Sequence, residues 1–329
     1  MGDHLPPASL PDAKDRAILY ELEQDSRQSL GKIARKVRLS KQTLHYRIER
    51  LKQSGLISQF ITAIDVSRLG LVNHEVWIQL DELSLEKKKT FLDFLVSHPN
   101  TRWVASCGGK FDVAIAILAE NLVQFNSIFR AILKEFPGFV KNYFVSLSYE
   151  MYSYPRTYLA KTAAKRVASF LGGEPRRIQM DEADIRILSL LSKNSRIPTI
   201  EIAKKAGIAA NTVRVKIKRL ENEGVIQAYT TITQPSKIGV LNYEILVSLQ
   251  NLTQEKETQV ESYCLLNKNI TFLLKVVGKW DIDIAFDARS TEHFQEFLLE
   301  FRSRFADVIK DFEFVQILYV HKFDYLPMK

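Results

Sequence analysis

Residues 15–19 read Asp-Arg-Ala-Ile-Leu, and residues 184–188 read Asp-Ile-Arg-Ile-Leu. The offset between these two stretches is 169 residues (184 − 15), and the same offset aligns many further residues without a gap. Chance does not hold one register over most of two half-chains, so the sequence predicts two copies of one unit. Further aligned pairs are Ser26 with Ser195, Ile33 with Ile202, Thr43 with Thr212, Gly55 with Gly224 and Gly109 with Gly278.

The composition is that of a globular protein. The 329 residues include 46 basic and 38 acidic ones, a net charge of +8, and 46% are hydrophobic. The longest apolar run, Val113–Ala119, is far shorter than the roughly 20 residues that span a bilayer, and the first residues lack the pattern of a secretory signal. Cys107 and Cys264 form neither a disulfide framework nor a zinc motif. We therefore expect a cytoplasmic protein without membrane contact, metal or cofactor, and the small charge excess is only a weak indication of nucleic acid.

The first third of each copy predicts three short helices. Asp12 and Ser40 are suited to cap the first and third helices, and Gly55 is suited to end the third. Two helices joined by a short turn, the second with a basic exposed face, are typical of a helix-turn-helix. The strand-like residues that follow, 56–64 and 225–232, indicate a wing. Apolar residues recur at helical spacing at Ile18, Leu19, Leu22, Ile33, Val37, Leu44, Ile48 and Leu51.

The exposed face of the third helix is polar and cationic in both copies, and we predict that it contacts double-stranded DNA. Arginine and lysine suit guanine edges or phosphates, whereas glutamine and asparagine suit adenine. The alternative is a helical bundle with a solvated face, which would not require the same face to be cationic twice. The candidate residues are Ser40, Lys41, Gln42, Thr43, His45, Tyr46 and Arg47 in copy one, and Asn211, Thr212, Arg214, Lys216 and Lys218 in copy two.

The remaining two-thirds of each copy predicts the order β-α-β-β-α-β, a ferredoxin-like fold with both helices on one face of the sheet. In Val113–Leu118 both alternate sets of residues are apolar, which indicates that both faces are buried. The simplest cover for the bare face is the sheet of the other copy, so we expect an intrachain pseudo-dimer of class α+β. The predicted domains are 1–66 and 181–235 (winged helix-turn-helix), 67–154 and 236–329 (ferredoxin-like), and 155–180 (linker).

The linker is predicted to contain a helix. Pro155 suits a first helical position, Tyr158 to Leu171 carry helix formers, and Gly172-Gly173 would end the helix. Basic residues outnumber acidic ones in this stretch. We interpret it as a basic helical linker, and a strap near the DNA backbone is the alternative.

The third helix also carries a resemblance to a known family. Ser40-x-x-Thr43-x-x-x-Arg47-Ile48-x-x-Leu51 followed by Gly55-Leu56-Ile57 resembles the winged helix-turn-helix of the Lrp/AsnC (feast/famine) transcriptional regulators, and 211–226 resembles the same signature. The Gly-x-aromatic-Asp turns at 109–112 and 278–281 are similar to the turn of that family's RAM domain. The resemblance implies a DNA-binding transcription regulator whose RAM domains pair and often sense amino acids. Family members usually carry one copy, so this chain resembles such a dimer fused in tandem, with self-association through its RAM domains.

The two copies differ where the resemblance implies contact with DNA. Ala209 stands at the position of Ser40, which removes a helix cap, and Lys216 replaces Arg47, which removes a bidentate donor. Because the two exposed faces differ, we predict an asymmetric operator with half-sites about one helical turn or more apart.

An amino-acid effector would bind near the two glycine turns. The candidate effector residues are Gly109, Asp112, Gly278, Asp281 and Asp283. Asp283 and Asp287 share a strand face with Asp281, so a carboxylate cluster that meets an ammonium or a cation is one interpretation and a polar strand edge is another. The alternative for the two turn aspartates is that they only accept hydrogen bonds from the backbone of the turn.

Two other classes of function remain as alternatives. The chain lacks the phosphate-loop, dinucleotide, metalloprotease and nucleophile-elbow motifs, so we predict that it is not an enzyme. The sirohaem decarboxylases also resemble fused Lrp/AsnC units, but their pattern places an Arg/His-rich stretch after the wing, and 64–69 and 233–238 contain no histidine here. An architectural DNA-binding protein without an effector is the third class.

Overall fold

The computed structural model describes residues 10–81, 84–160, 167–173 and 176–326. The two copies fold alike, and each element of copy two begins 169 residues after its counterpart. Copy one contains helices Ala13–Gln24 (α1), Leu30–Val37 (α2), Lys41–Gln53 (α3), Leu85–Ser97 (α4) and Leu122–Glu135 (α5), and strands Ile57–Ile64 (β1), Val72–Leu80 (β2), Thr101–Gly108 (β3), Val113–Ala119 (β4) and Val140–Ser153 (β5).

Copy two repeats this order after a short strand, Ser169–Gly172 (β6). Its helices are Glu182–Lys193 (α6), Thr199–Ala206 (α7), Ala210–Asn222 (α8), the single turn Pro235–Ile238 (α9), Gln254–Leu266 (α10) and Thr291–Arg304 (α11). Its strands are Ile226–Thr233 (β7), Leu241–Leu249 (β8), Ile270–Val277 (β9), Ile282–Ala288 (β10) and Ile309–Phe323 (β11).

The three-helix units form as predicted. Asp12 caps α1 through a reciprocal pair of hydrogen bonds with Asp15, and Ser40 caps α3 by accepting from the Thr43 amide. The apolar stripe predicted for copy one is buried and packs into one core. That core holds the three helices together because each helix buries a single apolar stripe.

The predicted wing strands pair with each other. β1 and β7 form an antiparallel two-stranded ribbon in which Ile61 lies opposite Thr230, its own counterpart in the repeat. The pseudo-twofold axis that relates the two copies therefore crosses the ribbon at this pair. The ribbon joins the two helix-turn-helix units to each other and to the rest of the chain.

The two ferredoxin-like sheets form one closed ring of eight antiparallel strands. Each sheet has the order expected of the fold, β5-β2-β4-β3 and β11-β8-β10-β9, and the long strands close the ring through the pairs β5–β9 and β11–β3. The prediction that the other copy covers the bare face is confirmed, with the addition that the sheet edges also pair. Closure removes the open edges that a sheet otherwise presents to other chains.

The alternating pattern of β4 separates the two sides of the ring. All seven residues of β4 are buried. Val113, Ile115 and Ile117 face α4 and α5 on the outside, whereas Ala114 belongs to the interior cluster that both copies share. Both sets are apolar because both sides of the strand are covered.

The described part of the linker contains no α-helix, contrary to the prediction for 158–171. The described residues hold a 3-10 turn at Thr157–Leu159 and the strand β6, which pairs with the end of β5; residues 161–166 and 174–175 lie outside the described part of the chain. The glycine read as a helix stop has a different role. At Gly172, where φ is +101°, a Cβ would lie 2.3 Å from the Tyr149 carbonyl oxygen, so only glycine allows this close approach.

Candidate nucleic-acid interface

A short turn precedes the third helix of each unit, between α2 and α3 in copy one and between α7 and α8 in copy two. We call α3 and α8 the recognition helices. The residue of this turn with positive φ is Arg38 (φ 54°) in copy one and Gly207 (φ 71°) in copy two. A non-glycine residue is strained there. Lys14 stabilises the strained turn of copy one, since its Nζ donates to the Val37 carbonyl oxygen at 2.6 Å.

Most of the predicted DNA-contacting residues lie on one exposed face. In copy one the Ser40 hydroxyl accepts from the Thr43 amide at 3.0 Å and lies 2.8 Å from the Thr43 hydroxyl, so the helix start is fixed. In copy two the equivalent cap at Ala209 makes no side-chain hydrogen bond. The exposed residues are Lys41, Gln42, Thr43, His45 and Tyr46 on α3, and Asn211, Thr212, Arg214 and Lys218 on α8.

Arg47 and Lys216 are placed differently from the other candidates. The Arg47 guanidinium lies 2.7 Å from Asp12 and 2.8 Å from Asp15, and its side chain is 21% exposed. Lys216 makes the same two contacts in copy two, with Asp181 at 2.5 Å and Asp184 at 3.1 Å. These two cations hold the recognition helix against the first helix of the unit.

The carboxylates that receive these cations were not predicted as functional. Asp15 is buried and also binds Arg50 at 2.6 Å, and Asp184 repeats this contact with Arg219. The hydrogen bond from Arg47 lowers the pKa of Asp12 to about 2. The signal was available in the sequence, because an Asp-x-x-Asp capping box precedes both helix-turn-helix units. The sequence alone does not show that α3 packs against this capping box.

Reciprocal contacts on the pseudo-twofold axis fix one helix-turn-helix unit against the other. The buried hydroxyls of Ser26 and Ser195 lie 2.6 Å apart, across the repeat offset of 169. Arg27 donates to the Ser195 carbonyl oxygen at 2.6 Å, and Arg196 donates to that of Ser26. The two arginines also stack on equivalent rings, Arg27 on Tyr229 and Arg196 on Phe60. Such paired contacts restrict the relative orientation of the two recognition helices.

The aspartates of the two turns predicted to bind an effector accept hydrogen bonds from backbone amides. Gly109 and Gly278 lie between β3 and β4 and between β9 and β10. The Asp112 carboxylate accepts from the Leu80 amide at 2.9 Å, and Asp281 accepts from the Leu249 amide at 2.6 Å. Both turns converge on one carboxylate, since the ammonium groups of Lys110 and Lys279 contact Glu313.

The three aspartates around β10 do not form one cluster. Asp281 belongs to the turn, whereas Asp283 is buried beside Glu244. Asp287 is buried and binds the Arg156 guanidinium at 2.7 Å and the Tyr158 hydroxyl at 2.8 Å. Among the described residues, no group of three or more His, Cys, Asp or Glu side chains is arranged to hold a metal ion, and no helix is long and apolar enough to cross a membrane.

Known DNA-binding domains and transcriptional regulators resemble parts of this chain. A family model described as winged helix-turn-helix DNA-binding matches residues 11–58 and 180–227. An uncharacterized HTH-type transcriptional regulator of Pyrococcus furiosus is 34% identical over 122 residues, which are 37% of this chain and 80% of that protein. The regulator AldR of Mycobacterium tuberculosis is 31% identical over 134 residues, 40% of this chain and 75% of that protein. The regulator LrpA of Pyrococcus horikoshii is 48% identical over 60 residues, 18% of this chain and 43% of that protein.

The chain belongs to the Lrp/AsnC family of transcriptional regulators. One copy here corresponds to most of a relative, because 37% of this chain matches 80% of the regulator of Pyrococcus furiosus. The Lrp/AsnC chain is therefore a tandem duplication of a unit that those relatives carry once.

A full-length likeness also exists among solved structures. The crystal structure of the siroheme decarboxylase NirDL matches this Lrp/AsnC chain with a TM-score of 0.61 and 14% identity, over 95% of this chain and 93% of that one. At this identity the likeness shows a shared fold. It supports the arrangement of two helix-turn-helix units and two ferredoxin-like domains in one closed assembly.

Val215 lies on the exposed face of α8 in this Lrp/AsnC chain but was not among the predicted DNA-contacting residues. Tyr46 is 67% exposed on α3, and its counterpart by the repeat offset is Val215, which is 62% exposed on α8. An exposed apolar side chain on a recognition helix is suited to contact a thymine methyl group. The repeat register alone would have identified Val215.

Proposed function

We propose that this Lrp/AsnC regulator binds double-stranded DNA sequence-specifically, with α3 and α8 each reading one half-site of an asymmetric operator. The observation that carries the proposal is the pair of exposed recognition faces, related by a pseudo-twofold axis but different in chemistry. Lysine, glutamine and tyrosine stand at 41, 42 and 46, whereas alanine, asparagine and valine stand at 210, 211 and 215. Different donors and apolar groups at equivalent positions select different bases.

Selection of binding sites from random duplex DNA tests this proposal. The wild-type chain should enrich two unlike half-sites whose centres lie about 10 base pairs, or a multiple of that, apart. A chain whose α8 face is converted to that of α3 should enrich two matching half-sites in inverted order. The substitutions for this conversion are A210K, N211Q, R214H, V215Y and K218E. An operator that the conversion leaves unchanged would show that α8 does not read DNA.

The proposal also includes modulation by an amino acid or a related small molecule. It is supported by one candidate residue, Asp283, whose buried side chain lines a cavity. The other two candidate aspartates, Asp112 and Asp281, accept hydrogen bonds from the backbone instead. Footprints of the operator with and without each amino acid test it. Footprints that no small molecule changes would instead favour an architectural DNA-binding protein without an effector.

A non-enzymatic role is the proposal that the regulator relatives favour. The decarboxylase likeness covers nearly the whole chain, so the enzyme alternative needs its own test. The stretches after the wing, 64–69 and 233–238, contain no histidine, unlike the pattern of those decarboxylases. Incubation with sirohaem under anaerobic conditions should therefore leave the sirohaem unchanged by mass spectrometry.

Further self-association is proposed through the outward helices of the ferredoxin-like domains. Support comes from apolar side chains that these helices expose at Leu85, Leu122, Leu266 and Leu299. Exposed apolar side chains that adjoin one another form patches that mark contact with a second chain. Light scattering coupled to size exclusion should give a mass above one chain, and a mass of one chain would contradict the association.

A further inference from the structure

A polar cavity of about 190 Å³ lies between the closed ring of eight strands, called the barrel below, and the β1–β7 ribbon. The barrel contributes one asparagine and one glutamate from each copy. Copy two adds the carboxylate of Asp283 on the neighbouring strand, and the equivalent residue of copy one is Ala114. The ribbon contributes three threonines of β7, of which Thr230 donates to the Glu23 carbonyl oxygen. The other residues of these groups are Asn73, Glu75, Asn242, Glu244, Thr231 and Thr233.

Five buried oxygen atoms that line this cavity accept or donate no hydrogen bond to the described residues. The side chains that carry them are at most 5% exposed. Buried polar atoms in native proteins are bonded to protein, water or a ligand, and five around one cavity indicate that water or a ligand occupies it. The atoms are Asn73 Oδ1, Glu75 Oε2, Thr231 Oγ1, Thr233 Oγ1 and Asp283 Oδ1.

The charges around the cavity are unbalanced toward the negative. Three carboxyl groups, those of Glu75, Glu244 and Asp283, interact with one another. Arg102 faces them without a hydrogen bond to a carboxylate among the described residues, and its guanidinium lies over the Tyr325 ring at 4.8 Å. With all three carboxyl groups ionised, the single guanidinium leaves an excess of two negative charges.

The other guanidinium that lines the cavity is held by two further carboxylates. Arg156 binds Glu23 at 2.9 Å and Asp287 at 2.7 Å, so it does not neutralise the three carboxyl groups. Burial, with the neighbouring carboxyl groups, raises the pKa of Glu75 and that of Glu244 to about 8, against the opposing effect of Arg102 on Glu75. The carboxyl groups therefore hold protons at neutral pH until a cation replaces those protons.

We propose that this cavity binds a small organic diamine without a carboxylate, its two ammonium groups held by the carboxyl groups of Glu75, Glu244 and Asp283. Carboxylates accept charge-assisted hydrogen bonds from ammonium groups. The size follows from the volume, because a cavity of roughly 150 Å³ holds benzene and this one is slightly larger. Trp103, Phe272 and Phe323 supply the apolar walls for the carbon skeleton.

The position of the cavity connects the amine to the recognition helix. Thr231 and Thr233 lie on β7, and β7 begins shortly after the end of α8. A ligand that binds these hydroxyls and the barrel together restrains the ribbon that carries α8. As an effector site this inference rests on the DNA-binding function proposed above, whereas amine binding by itself does not.

Isothermal titration calorimetry of the full chain without DNA tests the site. The probes are 1,5-diaminopentane, its neutral analogue 1,5-pentanediol, and L-lysine, which is the same diamine with an added carboxylate. We expect the diamine to bind at least tenfold more tightly than the diol and than lysine. Its affinity should rise about fivefold from pH 7 to pH 8 for each carboxyl group with a pKa of about 8 that releases its proton. Titration in buffers of different ionisation enthalpy measures that release.

Two variants locate the bound amine. Glu75→Gln and Glu244→Gln keep the side-chain shape and should each weaken diamine binding at least tenfold, whereas the control Glu313→Gln, outside the cavity, should leave it unchanged. Both variants should unfold at the wild-type temperature or above it, because the amide, unlike the carboxyl group, takes up no proton on folding. No diamine binding, equal binding of the diol, or tighter binding of lysine would each overturn the proposal. Because DNA is absent, such a failure leaves the proposed DNA binding intact.

Discussion

Removal of one arginine from each recognition helix should have different consequences in the two copies. The Arg214 side chain is exposed on α8, and within the described part of the chain it makes no ion pair. The Arg47 side chain is only 21% exposed and binds Asp12 and Asp15. Arg214→Ala should therefore weaken DNA binding alone, whereas Arg47→Ala should also destabilise the fold.

The size of each effect follows from these contacts. Loss of a bidentate contact between arginine and guanine costs about 1–3 kcal/mol, roughly a 5- to 150-fold loss of affinity, and loss of a phosphate contact lowers the salt slope by about 1. In Arg47→Ala the buried Asp15 loses one guanidinium and keeps Arg50, at 2.6 Å. A buried charged group that loses one of its partners should cost about 1–3 kcal/mol of unfolding free energy.

Fluorescence anisotropy with the selected operator, at several salt concentrations, measures the first effect, and urea denaturation measures the second. Arg186→Ala is the matched control, because Arg186 is an exposed arginine on α6 whose ion pair with Glu182 lies on the same helix. Its DNA affinity and stability should stay within error of the wild type. Unchanged affinity in both Arg214→Ala and Arg47→Ala would refute the assignment of α3 and α8 as recognition helices.

Three further predictions concern stability, each measured by urea denaturation. Ala209→Ser should add about 1 kcal/mol, since it supplies the cap that α8 lacks, and no gain would contradict the comparison with Ser40. Arg156→Ala should cost about 3–5 kcal/mol, because it leaves two buried carboxylates without their shared cation, and a loss below 1 kcal/mol would contradict that role. The raised pKa of Glu75 and of Glu244, about 8 against an ordinary 4.5, means that the folded chain holds protons that the unfolded chain has released. Stability should therefore fall as pH rises from about 5 to 8, by about 1.4 kcal/mol per pH unit for each retained proton, and a slope that Glu75→Gln leaves unchanged would contradict this source.

Much of the fold could be predicted because its signals are local or repeated. The cap at Asp12, the stop at Gly55 and the apolar stripes of the three helices depend on residues within one or two turns. The alternate apolar sets of β4 indicated two covered faces, and both are covered. The offset of 169 then transferred each assignment from one copy to the other.

The errors arose where the partner of a residue lies far away in sequence. The residues before Gly172 favour a helix by propensity, but the free edge at the end of β5 offers backbone hydrogen bonds that a strand can use. Closure of the barrel depends on the length of β5 and β11, whose two ends pair with different strands. Arg47 matched the family signature, and only the packing of α3 against α1 shows that two carboxylates hold its side chain.

Fusion of two copies allows the pseudo-dimer to become asymmetric, which a pair of identical chains cannot do without affecting both halves. Arg156 joins Glu23 of one helix-turn-helix unit to Asp287 of the opposite sheet, but the repeat offset places Tyr325, Ser192 and Leu118 at the equivalent positions. The cavity is likewise lined by Asp283 of copy two, and the repeat offset places Ala114 at the equivalent position of copy one. These differences make the two halves of the chain distinguishable. The ionic contact and the acidic cavity wall occur once each, and the two recognition helices are unlike. Such a chain should bind its operator in one orientation, and one amine per chain should be enough to affect it.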